Sequence, residues 1–318
     1  MVSFRYHLVS LIAVFMALAV GILVGSSLLN QSVLDSQRAT IKAQSAEKDN
    51  LRRDLDTVRN EVLYRDQYLV NLDDRLLAGQ LAGQRVVLVT MPGAAGGDAD
   101  GLTDMLTRAG ARVTGRIGVQ DGFFATAEDP REVAAKAQSR DEILAKNFIP
   151  ELRGQPAQVQ LAGALLTRGG ADRAVSAPAR KLLDQLDRGG FISRSRLEDR
   201  ADLAVLLVGA PPDPAVSAAT NRTDKGMVAL AAALDAAGNG VVVAAPTKAA
   251  VGGAMDAIRK ADSTRDAIST VDTIETVFGR VAAVYALVEQ LGGGAGHYGS
   301  TSGSDAPIPP AKLAPGKR

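Results

Sequence analysis

The stretch Leu8 to Leu29, LVSLIAVFMALAVGILVGSSLL, carries no charge, and nothing else in the chain restricts its fold as strongly. At about 1.5 Å per residue a helix of that length reaches about 33 Å, enough to cross a hydrocarbon core of roughly 30 Å. The apolar part of a cleaved signal peptide runs about 7 to 15 residues, so residues 1–30 read as an uncleaved signal anchor, with a signal cleaved at the weak site Val24-Gly25-Ser26 as the alternative. Few residues precede the span, which predicts an amino terminus inside the cell membrane and a C-terminal domain outside it. Within the span Ala13, Ala17, Gly21 and Gly25 recur at every fourth position and share one ridge. Small residues in such a ridge let two backbones approach closely in lipid, where no hydrophobic effect draws helices together. The ridge therefore predicts contact with a second copy.

Residues 31–80 read as a stalk. A heptad runs without a skip, with Leu34, Ile41, Lys48, Leu55, Val62, Leu69 and Leu76 at a and Gln37, Gln44, Leu51, Val58, Arg65 and Leu72 at d. No Pro or Gly falls between Gln31 and Ala78, so a continuous helix of about 70 Å is expected. The g-to-e pairs Glu47 with Arg52 and Asp54 with Arg59 have opposite charges, as a parallel, in-register pair of helices would use; Glu61 with Asp66 breaks the pattern. A lone amphipathic helix packed on its own domain, or an antiparallel hairpin, would use the same stripe. The adjacent membrane ridge favours a parallel homodimer with Leu51, Leu55, Val58, Val62, Leu69, Leu72 and Leu76 in its seam. The polar stretch from Gln37 to Lys48 leaves room for a partner protein.

After Gly79 the pattern changes. Arg85 to Thr90 is a continuous aliphatic run, as in a strand buried on both faces. A glycine loop, an Asp98 cap and a helix with Leu102, Met105 and Leu106 on one side follow, then a strand from Arg112 to Val119. The alternation returns with Leu203 to Val208, Asp224 to Ala236, Gly240 to Ala245 and a last helix near Ile274 to Leu291. Residues 84–298 are thus expected to be an α/β domain with a mainly parallel, Rossmann-like sheet. Helical stretches from Arg131 to Lys146 and from Pro178 to Arg188 form an insertion, the second framed by Ser176 and Gly189. Residues 299–318 are rich in Gly, Ser and Pro, and predict a disordered tail.

Composition argues against enzymatic chemistry. The chain has no Cys, which removes disulfides, thiolate metal sites and a Cys nucleophile, and its two histidines, His7 and His297, leave little for acid–base work. With 36 basic and 35 acidic side chains there is no field to bind nucleic acid. Gly93, Gly96 and Gly97 give GxxGG instead of GxGxxG, no GK[ST] follows, and no GxSxG exists. The six methionines are dispersed, so a soft metal such as Cu(I) finds no cluster of sulfur ligands. Only His297, beside Tyr298, offers a candidate copper ligand, and no cofactor is required.

The opening RYHLVSLIAVFMALAVGILVGSSLL, the closing GHYG (Gly296 to Gly299), ISTVD (Ile268 to Asp272) and GRV (Gly279 to Val281) resemble the MctB-type copper transporter family of actinobacteria. The resemblance covers the chain through Gly299. It implies a mycobacterial or corynebacterial envelope protein associated with copper export and with an outer-membrane channel. The corynebacterial SteB-like members imply an alternative, a coiled-coil adaptor in envelope assembly and septation with a SteA-like partner. A pore needs a closed barrel or several membrane helices, whereas one span with strands of α/β type reads as a dimeric scaffold.

Overall fold

A computed structural model describes residues 4–124, 130–169, 173–195, 197–209, 218–250 and 252–310. The chain divides into two units, residues 1–65 and 66–318. One long helix, α1 (Phe4–Leu77), begins in the first and ends in the second. Its segment Tyr6–Gly25 is long and apolar enough to cross a membrane, and its described side chains are exposed apart from the half-buried Gly25. The helix is continuous, as the lack of Pro and Gly in the stalk predicts. Every described side chain from Asp35 to Tyr64 is exposed, including the seam positions Ile41, Leu51, Leu55, Val58 and Val62.

After the end of α1 the second unit continues through β1 (Arg85–Thr90), α2 (Gly96–Arg108), β2 (Arg112–Val119), α3 (Pro130–Lys146), α4 (Ala157–Leu165) and α5 (Ala177–Arg188). Then come β3 (Ile192–Arg194), β4 (Leu203–Leu207), α6 (Ala218–Ala237), β5 (Val241–Ala244), α7 (Gly253–Lys260), α8 (Asp262–Arg265), β6 (Ser269–Val271), α9 (Val277–Leu291) and β7 (His297–Tyr298). The strands form one sheet in the order β3-β2-β1-β4-β5-β6-β7. Every pairing is parallel except β2 with β3. The sheet is therefore mixed, through a three-residue edge strand of the kind that doubly wound folds often carry.

Alternate side chains of the central strands face opposite helical layers. Val86, Leu88, Leu203, Val205, Leu207 and Val242 pack against α2 and α9, with Leu77 and Leu81 from the end of α1 in the same core. Val87, Val89, Ile117, Ala204, Leu206 and Val243 pack against α4, α5, α6 and α7. The Tyr285 hydroxyl donates to the Leu76 carbonyl at 2.8 Å and fixes the last turn of α1.

The insertion between β2 and β3 holds the two expected helices and a third, α4. Its sequence AQVQLAGAL is buried on most sides and shows no amphipathic period. Ser176 caps α5, its hydroxyl accepting from Ala179 N, and Gly189 ends it. Asp98 does not cap α2: Ala95 holds the N-cap without a side-chain bond, and Asp98 lies in the first turn. Of the tail expected at residues 299–318, residues 311–318 lie outside the described residues, while in 299–310 Gly299 N donates to Ala306 O at 3.0 Å and Tyr298 bridges to Ala306. The serines and threonines of that part have a buried carboxylate to bind.

Arg85 at the start of β1 and Asp202 just before β4 are both buried and bond side chain to side chain, with Nε to Oδ2 at 2.9 Å. Removing one partner would strand the other charge in the core. Asp202→Ala should lower the stability of the second unit by about 3–5 kcal/mol, read as a shift in the denaturant midpoint at unchanged slope.

Candidate functional site

In open α/β sheets, ligands collect at the carboxyl ends of strands where the strand order reverses. Here the reversal lies between β1 and β4, and backbone fills it. Gly209, two residues beyond β4, runs so close to Gly93 and Ala94 that a Cβ on Gly209 would overlap the Gly93 backbone. Met91 N also donates across to Leu207 O at 2.8 Å. The amides that open α2 are shadowed by Asp98, whose carboxyl is raised above its usual range by burial, an effect the nearby Arg280 opposes. Within the glycine loop Gly93 turns at φ of +78° and packs against Gly209, whereas Cβ atoms built on Gly96 and Gly97 would meet nothing.

The loop between β6 and α9 gathers the other carboxyl-end loops around itself. Arg280 reaches Asp98 at 3.7 Å and donates to the carbonyls of Ile274 and Glu275, each at 3.1 Å. Glu275 accepts from Thr247 N at 3.0 Å and from Thr247 Oγ1 at 2.7 Å, tying in the loop after β5.

Asp272, at the end of β6, is wholly buried and collects the densest set of donors. Arg259 Nη2 lies 3.1 Å from it, Ser300 N 2.7 Å, Ser304 Oγ 2.6 Å and Thr301 N 3.3 Å; the Thr301 hydroxyl donates as well. Burial alone would raise its pKa, but the bonds from Ser304, Thr301, Ser300 and Arg259 outweigh that and hold the carboxyl below the usual range. Gly299, with φ of +136°, passes so near that a Cβ there would overlap the carboxylate.

His297 belongs to the same cluster. It is 2% exposed, and its Nδ1 lies 3.0 Å from Thr270 Oγ1. Arg259 Nε donates to that oxygen at 2.8 Å, and the network assigns the threonine hydrogen to Nδ1 and the imidazole proton to Nε2. Nε2 is buried without a partner. Burial lowers the pKa of His297; Asp305 and Asp266 favour the charged form, while Arg259 and Arg265 oppose it. Among the described residues no three His, Cys, Asp or Glu side chains gather as a metal site. His297 offers one imidazole nitrogen inside a hydrogen-bonded core, with no second ligand beside it.

The other candidates lie apart from this cluster. Ala13, Ala17 and Gly21 are exposed on α1, and Cβ atoms built on Gly21 and Gly25 would meet nothing. Leu51, Leu55, Val58 and Val62 are exposed, while the side chains of Leu69 and Leu72 lie outside the described residues. Leu76 is half-buried at the α1 end. His7 is exposed within the apolar helix. Met91, Met105, Met227 and Met255 are core residues. Arg259 and Ser304 carry no motif of their own, and only the fold brings them to Asp272.

The short segments Ile268–Asp272, Gly279–Val281 and Gly296–Gly299 thus converge on the loops around β6. The family described as "Copper transport outer membrane protein, MctB" matches residues 1–309, which takes in the apolar helix, the stalk and this cluster. The chain belongs to the MctB family. Proteins named "Copper transporter MctB" from Mycobacterium bovis and Mycobacterium tuberculosis are 29% identical over 314 residues, 96% of this chain and 98% of theirs. The one from Mycobacterium leprae is 28% identical over 322 residues, 96% of this chain. The MctB family is named for copper transport and not for a catalysed reaction.

The depressed His297 pKa has a definite sign. The unfolded chain takes up the imidazole proton more readily, so this contribution is complete above the ordinary value of 6.5 and is lost as the pH falls below it. The melting temperature of the wild type should drop between pH 7.5 and pH 5 by more than that of His297→Phe, which keeps a buried ring without a titrating nitrogen. Equal drops would remove the role given to the imidazole.

Proposed function

We propose that this chain is a single-pass, membrane-anchored and non-enzymatic member of its copper-transport family that works as a parallel homodimer. Its amino terminus lies inside the cell membrane and its α/β domain outside. It serves copper export and homeostasis as a scaffold for envelope partners instead of as a pore. The observation that carries this reading is the pair of uncovered apolar surfaces on α1. The small-residue ridge lies in a helix segment none of which is buried among the described residues, and Leu51, Leu55, Val58 and Val62 are exposed at heptad spacing. Apolar surface left in water forgoes about 25 cal/mol per Å², and a second copy offers the matching stripe.

Two further observations support a scaffold over a conduit. A conducting barrel carries an outward apolar band on alternate residues, whereas β1, β4 and β5 are aliphatic on both sides and face helices on both. Copper as cargo would be held by a cluster of soft or imidazole ligands, whereas the buried methionines are spread through the core and His297 presents a single nitrogen.

Single cysteines placed as Gly25→Cys and Gln44→Cys meet no native thiol. Each should give disulfide-linked dimers in membranes, and Leu55→Asp with Val62→Asp should abolish the Gln44→Cys product while the α/β unit keeps its circular dichroism. In cells lacking the protein, the same double variant should fail to restore normal copper content. A monomer in detergent by light scattering, or full restoration by the double variant, would overturn the dimeric scaffold.

A further inference from the structure

We propose that residues His297–Pro310 are an exchangeable strap, and that its seat along β6 accepts the same segment from a second copy of this chain. The seat is a sheet edge with a chemical complement. Thr270 N donates to Gly296 O at 3.0 Å and Asp272 N to Tyr298 O at 3.1 Å, which is the ladder of a strand only two residues long. Beyond it the Asp272 carboxylate accepts from Ser300, Thr301 and Ser304, and Arg259 Nη1 donates to Thr301 Oγ1 at 3.0 Å. The strap folds back on itself, Asp305 N donating to His297 O at 2.7 Å.

Three features make this seat releasable. Its hold is mostly polar: Tyr298 and Pro309 are its buried apolar side chains, Ala306 packs only partly against the core, and Ile308 is exposed. The closed strap leaves His297 Nε2 buried without a partner, a cost that opening removes because water then reaches the nitrogen. The connection from α9 is Gly292-Gly293-Gly294-Ala295-Gly296, with Gly293 at φ of +77°, a hinge that turns at little steric cost. A departing strap bares the ladder edge of β6, the Asp272 carboxylate and the Arg259 guanidinium together. The segment that matches all three is the strap sequence itself, and a second copy carries it. Exchange of identical elements between protomers is a low-cost route to association. The dimer proposed above would raise the local concentration, but the seat does not require it.

The test uses the full chain in detergent with a fluorescent synthetic peptide, GHYGSTSGSDAPIPP, the sequence from Gly296 to Pro310. The wild type should capture the peptide slowly and saturably by anisotropy. Gly299→Ala drives a Cβ into Asp272 and unseats the resident strap, and should capture it at least tenfold faster. A peptide with alanine in place of Ser300, Thr301 and Ser304 should bind at least tenfold more weakly. Leu55→Asp with Val62→Asp should capture the normal peptide as the wild type does, so loss of stalk pairing and loss of strap exchange are read separately. Absence of capture by folded wild type and folded Gly299→Ala, or equal binding of the two peptides, would overturn the proposal. Hydrogen exchange on the wild type gives a readout that needs no variant. The Gly299, Ser300 and Asp272 amides should exchange faster than those of Leu206 and Val243, and equal protection would count against the strap.

Discussion

Burial of the central strands on both faces governs the second unit. β1, β4 and β5 are almost wholly Val, Leu and Ala, so neither side of the sheet tolerates water, and helices must cover both. Without Trp, and with few aromatic residues, the cohesion comes from close interdigitation of small aliphatic side chains. Parallel neighbours also require crossovers, which place the loops after β1, β4, β5 and β6 along one edge. What happens at that edge follows from this constraint. The loops are near enough to be tied together by Arg280, Glu275 and Asp272, and Gly209 closes the point where a ligand would otherwise enter.

The first unit poses the opposite problem, since its apolar surface is uncovered. A fully buried leucine or valine is worth roughly 1.5–3 kcal/mol, while an exposed ion pair contributes about 0–1 kcal/mol. In the dimer proposed above, Leu51, Leu55, Val58 and Val62 would supply the drive for pairing, and the charges flanking them would select orientation and register. Lys48 and Arg65, at a and d of the heptad, would weaken that proposed seam and narrow the choice of partner.

Around Asp272 the balance is between burial and hydrogen bonding. An isolated carboxylate at that depth would take up a proton, yet backbone and hydroxyl donors from Ser300 to Ser304, with Arg259, favour the charged form more strongly than burial disfavours it. A stretch of Gly, Ser and Thr that would be disordered by itself becomes ordered, because a buried anion gives each donor an acceptor. His297 sits beside this pair with its pKa lowered by burial, an effect Asp305 opposes and Arg259 and Arg265 reinforce.

Much of this was legible in the residues. The uncharged span, the unbroken heptad, the buried strands at Arg85–Thr90 and Leu203–Leu207 and the Ser176 cap follow from local rules of period, charge and capping, which need only near neighbours. The short strands β3, β6 and β7 did not show, because two or three residues are too few to display a period. α4 did not show because a helix buried on most sides has none. The meeting of Arg259, Thr270, Asp272, His297 and Ser304 was likewise hidden, since it depends on β6 and β7 lying side by side with α7 over them. The amino-acid order by itself determined where the chain is apolar enough to cross a membrane, where it runs as a single helix and where a two-sided sheet must form, since each of these is set by hydrophobicity along the backbone. Only the tertiary structure decided that the glycine loop packs against backbone, that His297 lies in the core and that the final Gly/Ser segment has a seat, because those outcomes depend on which distant donors and acceptors the fold brings within reach.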